Sequence, residues 1–501
     1  MLTRPSMKLP RPSTSISPTL RSVAEDSQRW LFSAGFASLQ AWITIIVVVL
    51  SPLFFGSVDL FWIATWTILL SIGALCGVGV RTSARQNCIV GIFLAVCSLY
   101  CLVSLIQVVP LGLITLNDPS WNRVKELLDL GVLSRVSSRA EIPPIAAGHF
   151  LLFTTSVMNG FFVGTSRSNS AKLIQMVRYA VLAYVIYGLV ALLLTPNLIL
   201  WAPKLAYRGS LTATFINHNT AGTFVGAGAI LWFSFSLSSL HSFRFSSLRL
   251  MLLTPSNEKR AFAIIARLGA ALTCFFALLL TGSRGALIAS CLGLLAAVIL
   301  LFASWQKTRL WQILLSSAVA LATTLALVSQ MGRIGSQGLI DDARWSVYEL
   351  CIEAIRQRPL LGAGVGTFSD IFPSLRPNGF FGSGVWDYAH STILEIAVEM
   401  GIPVMLIVLL AALTSLLLLA RATVRSEGRN RELLAAITGI VVLSYLHSLV
   451  DFSLQIPGYL ILFGVLLGCG LARASSPPTA LDQRYDHIDF RETGVGSVTK
   501  L

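Results

Sequence analysis

Residues 88–110 read CIVGIFLAVCSLYCLVSLIQVVP, twenty-three residues without one Asp, Glu, Lys, Arg or His. A hydrocarbon core about 30 Å thick needs about 20 such residues wound as a helix, the conformation that satisfies its own backbone groups. The stretch predicts a membrane-spanning helix, and the whole chain shares its character. Of the 501 residues, 55% are apolar and only 12% charged, more apolar surface than a soluble protein of this length can bury. Lipid is the expected solvent. Working outward on the same criterion, spans are expected at 38–55, 59–80, 88–110, 148–165, 179–200, 216–239, 263–282, 285–304, 313–331, 391–420, 434–450 and 457–472. The expected fold is an all-α integral membrane protein with about 12 transmembrane helices. A large external loop containing an amphipathic helix separates spans nine and ten.

Spans seven and eight are close enough to form one re-entrant unit, which would invert everything after them. Charge tests that. With twelve spans both termini share a side, and 25 of the 37 Lys and Arg fall on it, against 12 on the other. Cytoplasmic loops carry the positive excess, so both termini are expected in the cytoplasm. Most of the formal charge of +14 is then an orientation signal. Dispersed among the spans, these residues make no basic face for nucleic acid. Residues 1–37 read as a mobile polar tail, 38–472 as the membrane domain and 473–501 as a tail too short to fold alone. The first apolar run starts late and lacks a small-x-small cleavage site, which predicts an anchor rather than a signal peptide. Only Cys351 of the eight cysteines falls in an external loop, so no disulfide framework is expected.

Three external segments stand out. Leu111 to Ala147 contains Trp121-Asn122-Arg123-Val124-Lys125-Glu126-Leu127-Leu128, amphipathic at helical spacing and expected on the membrane surface. Trp201 to Asn219 carries Lys204, Arg208 and the string Thr214-Phe215-Ile216-Asn217-His218-Asn219. Polar groups entering a span are costly in lipid, so Asn217 and Asn219 either face protein or a watery cavity, or cap a helix. The third, 332–390, is the main loop. There Asp341-Asp342 cap a helix running to about Arg358, stopped by Pro359. Trp345, Tyr348, Ile352 and Ile355 predict one apolar stripe on it. Arg344 lies in its first turn, where the helix dipole disfavours a cation, which suggests a task other than stability. The glycine-rich 362–368 segment has neither the spacing nor the preceding strand of a dinucleotide fingerprint and reads as a turn packed against a helix. The loop ends in Asp387-Tyr388-Ala389-His390-Ser391, an imidazole at the mouth of span ten.

Charge near or within the membrane completes the set. Arg284 is the only charge in the turn joining spans seven and eight, and arginine suits bidentate phosphate binding. Ser391, Glu395 and Glu399 share one face of span ten; two carboxylates a turn apart in hydrocarbon line a cavity, pair with an arginine or hold a proton. Pro403 is expected to kink that helix. His447 and Asp451, four apart, read as a hydrogen-bonded pair or as further site groups.

At these residues the chain resembles the superfamily of O-antigen ligases and polysaccharide polymerases that share a Wzy-type C-terminal domain. The likeness runs over roughly 205–470, through Phe215-x-Asn217-x-Asn219, Ser283-Arg284-Gly285, Arg344-Trp345, Gly364-Val365-Gly366-Thr367-Phe368, Ala389-His390-Ser391 with Leu394-Glu395 and Glu399-Met400-Gly401, and His447-Ser448-Leu449-Val450-Asp451-Phe452. The family commonly has Asn where Ser391 stands. The resemblance implies a bacterial inner-membrane glycosyltransferase working on the periplasmic face. It would take a glycan from undecaprenyl diphosphate and give it to an acceptor glycan or glycolipid such as lipid A–core. By the same likeness His390 is a general base, and Arg284 and Arg344 hold the diphosphate. Arg208, added from its placement beside the Asn217–Asn219 string, is expected to bind the diphosphate or substrate together with Asn217, Asn219 and Glu395, with Glu399, His447 and Asp451 as support.

The chemistry agrees with the residues. A sugar hydroxyl is a poor nucleophile until a base takes its proton, which an imidazole of ordinary pKa about 6.5 can do at neutral pH. Arginines can stabilise a leaving diphosphate without metal. The external loops hold no D-x-D triplet, so neither metal nor cofactor is expected, and backside attack should invert the anomeric centre. A polymerase of the same family would use the same donor and base. A flippase for lipid-linked sugars would favour duplicated halves and key groups near the midplane, and neither is visible.

Overall fold

The computed structural model describes residues 35–110, 117–129, 131–241, 255–303, 342–377 and 386–476. These residues form helices α1 (Gly35–Leu53), α2 (Leu60–Gly77), α3 (Ala84–Val108), α4 (Pro119–Leu128), α5 (Ile142–Thr165), α6 (Arg167–Leu194), α7 (His218–His241), α8 (Pro255–Thr281), α9 (Arg284–Phe302), α10 (Asp342–Gln357), α11 (Phe368–Leu375), α12 (Thr392–Arg425), α13 (Gly428–Ser448) and α14 (Pro457–Ser475). The one sheet among the described residues is a hairpin, β1 (Leu198–Ile199) paired antiparallel with β2 (Ala202–Pro203). Ten of the helices are long and apolar enough to cross a membrane: α1, α2, α3, α5 to α9, α12 and α14. They coincide with the expected spans one to eight, ten and twelve. The eleventh, α13, opens on Arg429, Arg431 and Glu432 and falls outside that set. The expected ninth, 313–331, lies outside the described residues. Helices α8 and α9 are separate, each long and apolar enough to cross a membrane, and are joined through Gly282 and Ser283.

The bundle is organised around α14, whose spanning window is 94% buried. Its Gly464 and Gly468 lie against Ser156, Val157 and Phe161 of α5, and Gly160 and Gly164 of α5 lie against Val465, Cys469 and Ala472 of α14, two small-xxx-small rows. A β-carbon on Gly160 would overlap the Val465 carbonyl, and one on Gly468 the Val157 carbonyl, so backbone meets backbone here. Without a hydrophobic force between helices in lipid, such close packing supplies the attraction. Toward the other end of the chain, α9 packs along α13.

Helix α12 breaks at Gly401 (φ 81°, ψ 170°), two residues before Pro403, the expected kink. The glycine-rich turn heals the break. Its Ala363 N–H donates to the Val398 carbonyl at 2.9 Å and its Gly364 N–H to the Glu399 carbonyl at 3.0 Å, while the Ile402 N–H reaches Pro359 at 2.8 Å. Gln107, at the end of α3, donates to the Leu361 and Glu399 carbonyls (2.6 and 2.8 Å) and accepts from the Val365 N–H at 3.0 Å. Gly362, at φ +65°, sits so tightly on the Glu399 backbone that a β-carbon would overlap it. The turn is thus a plug in a membrane helix.

Two further expectations change. The stripe on α10 is rotated: Val347, Tyr348 and Cys351 are buried, with Leu350, Ala354 and Ile355 packed beside them, whereas Trp345 (54%) and Ile352 (43%) are exposed. The burying partner is α12 and the turn before it, which face the Val347 side of the helix. Only Tyr348 and Ile355 of the expected stripe lie on the packed face. Helix α14 also runs on to Ser475, where Arg473 is buried and donates to the Asn430 side chain at 2.7 and 2.9 Å. The helix thus ends three residues past the expected end of span twelve at 472. The segments between the spans are tied together by Arg139, which bridges Glu141 and Asp370, and by the ion pair of Arg358 with Asp118, the N-cap of α4.

Candidate active site

His390 stands two residues before α12, whose N-cap is Ser391. Its backbone lies in the left-handed region at φ +53°, a conformation that costs a non-glycine residue roughly 1–3 kcal/mol and persists only when neighbours impose it. The neighbours are identifiable. The Tyr348 hydroxyl donates to the His390 carbonyl at 2.9 Å, and the Glu395 carboxylate accepts the Ala389 N–H at 2.8 Å. Burial pushes the Tyr348 hydroxyl up to about 12, so it remains protonated, and a donor, at neutral pH. The imidazole is 20% exposed, with Nδ1 3.9 Å from Asp451 Oδ1. Trp386 and Phe452 meet it edge to face, at centroid distances of 5.2 and 4.8 Å.

Asp451 has no exposed side-chain surface. Asn219 Nδ2 donates to its Oδ1 at 2.9 Å, and Ser453 Oγ donates to its Oδ2. Asn219 is itself set by Asn217, whose side-chain oxygen accepts the Asn219 N–H at 2.7 Å. Asn217 thus caps the start of α7, one of the two readings of that string. The expected direct bond between His447 and Asp451 is replaced by a relay. His447 Nδ1 lies 2.7 Å from Thr223 Oγ1 and 3.4 Å from Ser453 Oγ, and Ser453 carries the contact to Asp451. The starts of α7 and α12 and the end of α13 thus converge on one buried carboxylate.

Arg344 comes to the same rim. Arg344 donates from Nη1 to the Val450 carbonyl at 2.9 Å, one residue before Asp451. Arg284 is the first residue of α9, behind the N-cap Ser283. Its neighbour Gly285 lies against His447 and Val450: a β-carbon there would stand 3.1 Å from the imidazole and 3.4 Å from Val450 Cγ2. Arg208 is exposed on the turn after the hairpin and donates to the Lys204 carbonyl at 3.2 Å. Beside it, Tyr207 stacks on His218 at 4.0 Å, and His218 Nδ1 is 2.8 Å from the Thr281 carbonyl, three residues before Arg284. Burial, and after it the nearby Asp451 carboxylate, push the Tyr207 hydroxyl up. Burial also pushes the Lys204 ammonium down; it donates to the Ser210 carbonyl at 2.8 Å.

Glu395 and Glu399 lie on the site's supporting side. Glu395 takes the Ala389 N–H and Glu399 the Phe368 N–H at 3.0 Å, so both hold loop backbone against α12. Thr223 and Ser453 escape sequence reasoning, as does the part Tyr348 plays at the site beyond its place in the apolar stripe. Each is an ordinary hydroxyl whose importance depends on contacts across 42 to 230 positions of chain. Among the described residues, no three His, Cys, Asp or Glu side chains gather as metal ligands.

Compared with known families, residues 269–409 match the model of the Wzy_C family, described as O-antigen ligase. The matched stretch contains Arg284, Arg344, the glycine-rich turn, His390, Glu395 and Glu399. A search of curated proteins found no match to the chain.

Proposed function

We propose that this multi-pass membrane protein, whose residues 269–409 belong to the O-antigen ligase family of polysaccharide-building membrane enzymes, joins a lipid-carried glycan to an acceptor sugar. The observation that carries the reading is the meeting of His390 and Asp451 with the Arg344-bearing Val450 segment at the mouth of α12. The donor is a glycan on undecaprenyl diphosphate, and the acceptor is a glycan or glycolipid such as lipid A–core. Transfer takes place on the periplasmic face of a bacterial inner membrane, with both termini in the cytoplasm.

In the step, the acceptor hydroxyl gives its proton to His390. The buried Asp451 carboxylate favours the imidazolium that results. The acceptor oxygen forms its bond to the anomeric carbon as the bond from that carbon to the diphosphate oxygen breaks on the opposite face, so the anomeric centre inverts. The bonding electrons leave on the diphosphate, whose charge Arg284, Arg344 and Arg208 stabilise. Asn217 and Asn219 hold Asp451 in register.

A deletion strain whose surface glycans are run on a gel tests the assignment. Long chains left unlinked to their acceptor indicate a ligase. Single-repeat products move the assignment to a polymerase, and lipid-linked units trapped in the cytoplasm move it to a flippase. Because guanidinium groups supply the charge stabilisation here, transfer by the purified protein should persist in excess chelator. A loss restored by an added divalent cation would overturn the arginine-only account.

A further inference from the structure

Residue 390 is a histidine in a backbone conformation suited to glycine or asparagine, and it is gripped on both sides by buried groups from elsewhere in the fold. On its carbonyl side the grip is Tyr348 of α10, at 2.9 Å. On its amide side it is Glu395 of α12, whose Oε2 accepts the N–H of Ala389 at 2.8 Å. Both side chains are largely buried, Tyr348 at 8% and Glu395 at 7% exposure. Neither touches the imidazole through these bonds. They fix the peptide unit that follows the α-carbon carrying it, through the His390 carbonyl, and the Tyr388–Ala389 peptide one residue before it.

We propose that Tyr348 and Glu395 are positioning residues that hold the His390 imidazole in register with Asp451, and that Glu395 does so as a hydrogen-bond acceptor rather than as a substrate ligand. The inference rests on His390 being the base of the proposed transfer. The 3.9 Å from His390 Nδ1 to Asp451 Oδ1 leaves little tolerance. If the Tyr388–Ala389 or His390–Ser391 peptide is released and rotates, the imidazole swings away from the carboxylate. Misplacing a reacting group by about 1 Å can cost on the order of 100-fold in rate. Glu399, one turn further along α12, does the equivalent task for the glycine-rich turn through the Phe368 N–H, so one face of this helix is a row of acceptors for loop backbone.

The test uses Tyr348→Phe, Glu395→Leu and Glu395→Gln in the full-length protein in nanodiscs. The probe is the undecaprenyl-diphosphate glycan extracted from the deletion strain, with its native acceptor. The leucine and phenylalanine variants should lose about 10-fold or more in kcat with KM within about twofold, because geometry rather than substrate binding is lost. The glutamine variant, which keeps an acceptor oxygen, should retain kcat within about threefold. A second measurement does not depend on turnover: the rate at which diethyl pyrocarbonate modifies His390, followed by mass spectrometry against the other histidines. That rate should change severalfold in the leucine and phenylalanine variants, stay near wild type in the glutamine variant, and leave His218 unaffected. Unchanged modification in all three variants would overturn the proposal, as would a rise in KM at constant kcat. A glutamine variant as impaired as leucine would show that charge, not the acceptor oxygen, is required. Should wild-type protein transfer no glycan while the modification rates still follow the expected order, the positioning stands and the transfer reading falls.

Discussion

Replacing His390 by alanine is expected to lower glycan transfer by about 10²–10⁴-fold while the protein inserts and accumulates normally. The side chain lies outside the packed core, at the site mouth, so its loss opens no large cavity. Alanine must still adopt φ +53°, at a cost close to that for histidine, and the Tyr348 and Glu395 bonds go to backbone atoms that alanine also has. The chemical loss and a folding loss are separated by His390→Asn. Asparagine enters the left-handed region more readily than alanine, yet its amide is no base near neutral pH. Both variants should reach the membrane in wild-type amounts, and both should fail to transfer. Surface glycans on a gel, beside an immunoblot of the membrane fraction, decide it. Transfer within a few-fold of wild type by either variant would remove His390 as the base.

The ten helices of spanning length were legible because about twenty consecutive apolar residues are a local pattern, and His390 and Arg284 were singled out by local pattern too: an imidazole where polar sequence enters lipid, a lone guanidinium in a tight turn. The roles of Glu395 and Glu399 were not. Four-residue spacing shows that they share a face but not what that face meets, and here it meets loop backbone: the turn just before α12 at Ala389, and the start of α11 at Phe368. The same limit applies to α10. Its apolar residues cover more than one face, and only the position of α12 selects Val347, Tyr348 and Cys351 as the buried set. Asp451 shows it most plainly. His447 is its sequence neighbour at helical spacing, yet its direct partners are Asn219, 232 positions away, and Ser453. The break in α12 was expected from Pro403, but Gly401 takes it because only glycine accepts φ +81° with the Leu360 backbone so close.

Removing either Arg284 or Arg344 is expected to cost about 10²–10³-fold in transfer, the range seen when one donor to a developing anion is deleted. The two positions differ in what else they do, and that difference separates function from stability. Arg344 sits in the first turn of α10, where the helix dipole opposes a cation by roughly 0.3–1 kcal/mol. Its bond to the Val450 carbonyl contributes about 1 kcal/mol the other way. These terms nearly cancel, so Arg344→Ala should unfold within about 1 kcal/mol of wild type. Arg284 also opens a helix, α9, so its loss relieves the same dipole penalty. Lysine substitutions sharpen the test. A compact ammonium keeps the charge but loses the planar fork that grips two phosphate oxygens, so Arg284→Lys should recover only a small part of the lost rate. Initial rates with the extracted lipid-linked donor, beside thermal unfolding of each variant in detergent, read both quantities. Full activity in Arg284→Ala would mean that this guanidinium serves the lipid surface instead. A variant whose rate falls only in step with its unfolding temperature would make Arg344 a structural residue, and the cationic side of the site would then have to be sought at Arg208 and Lys204.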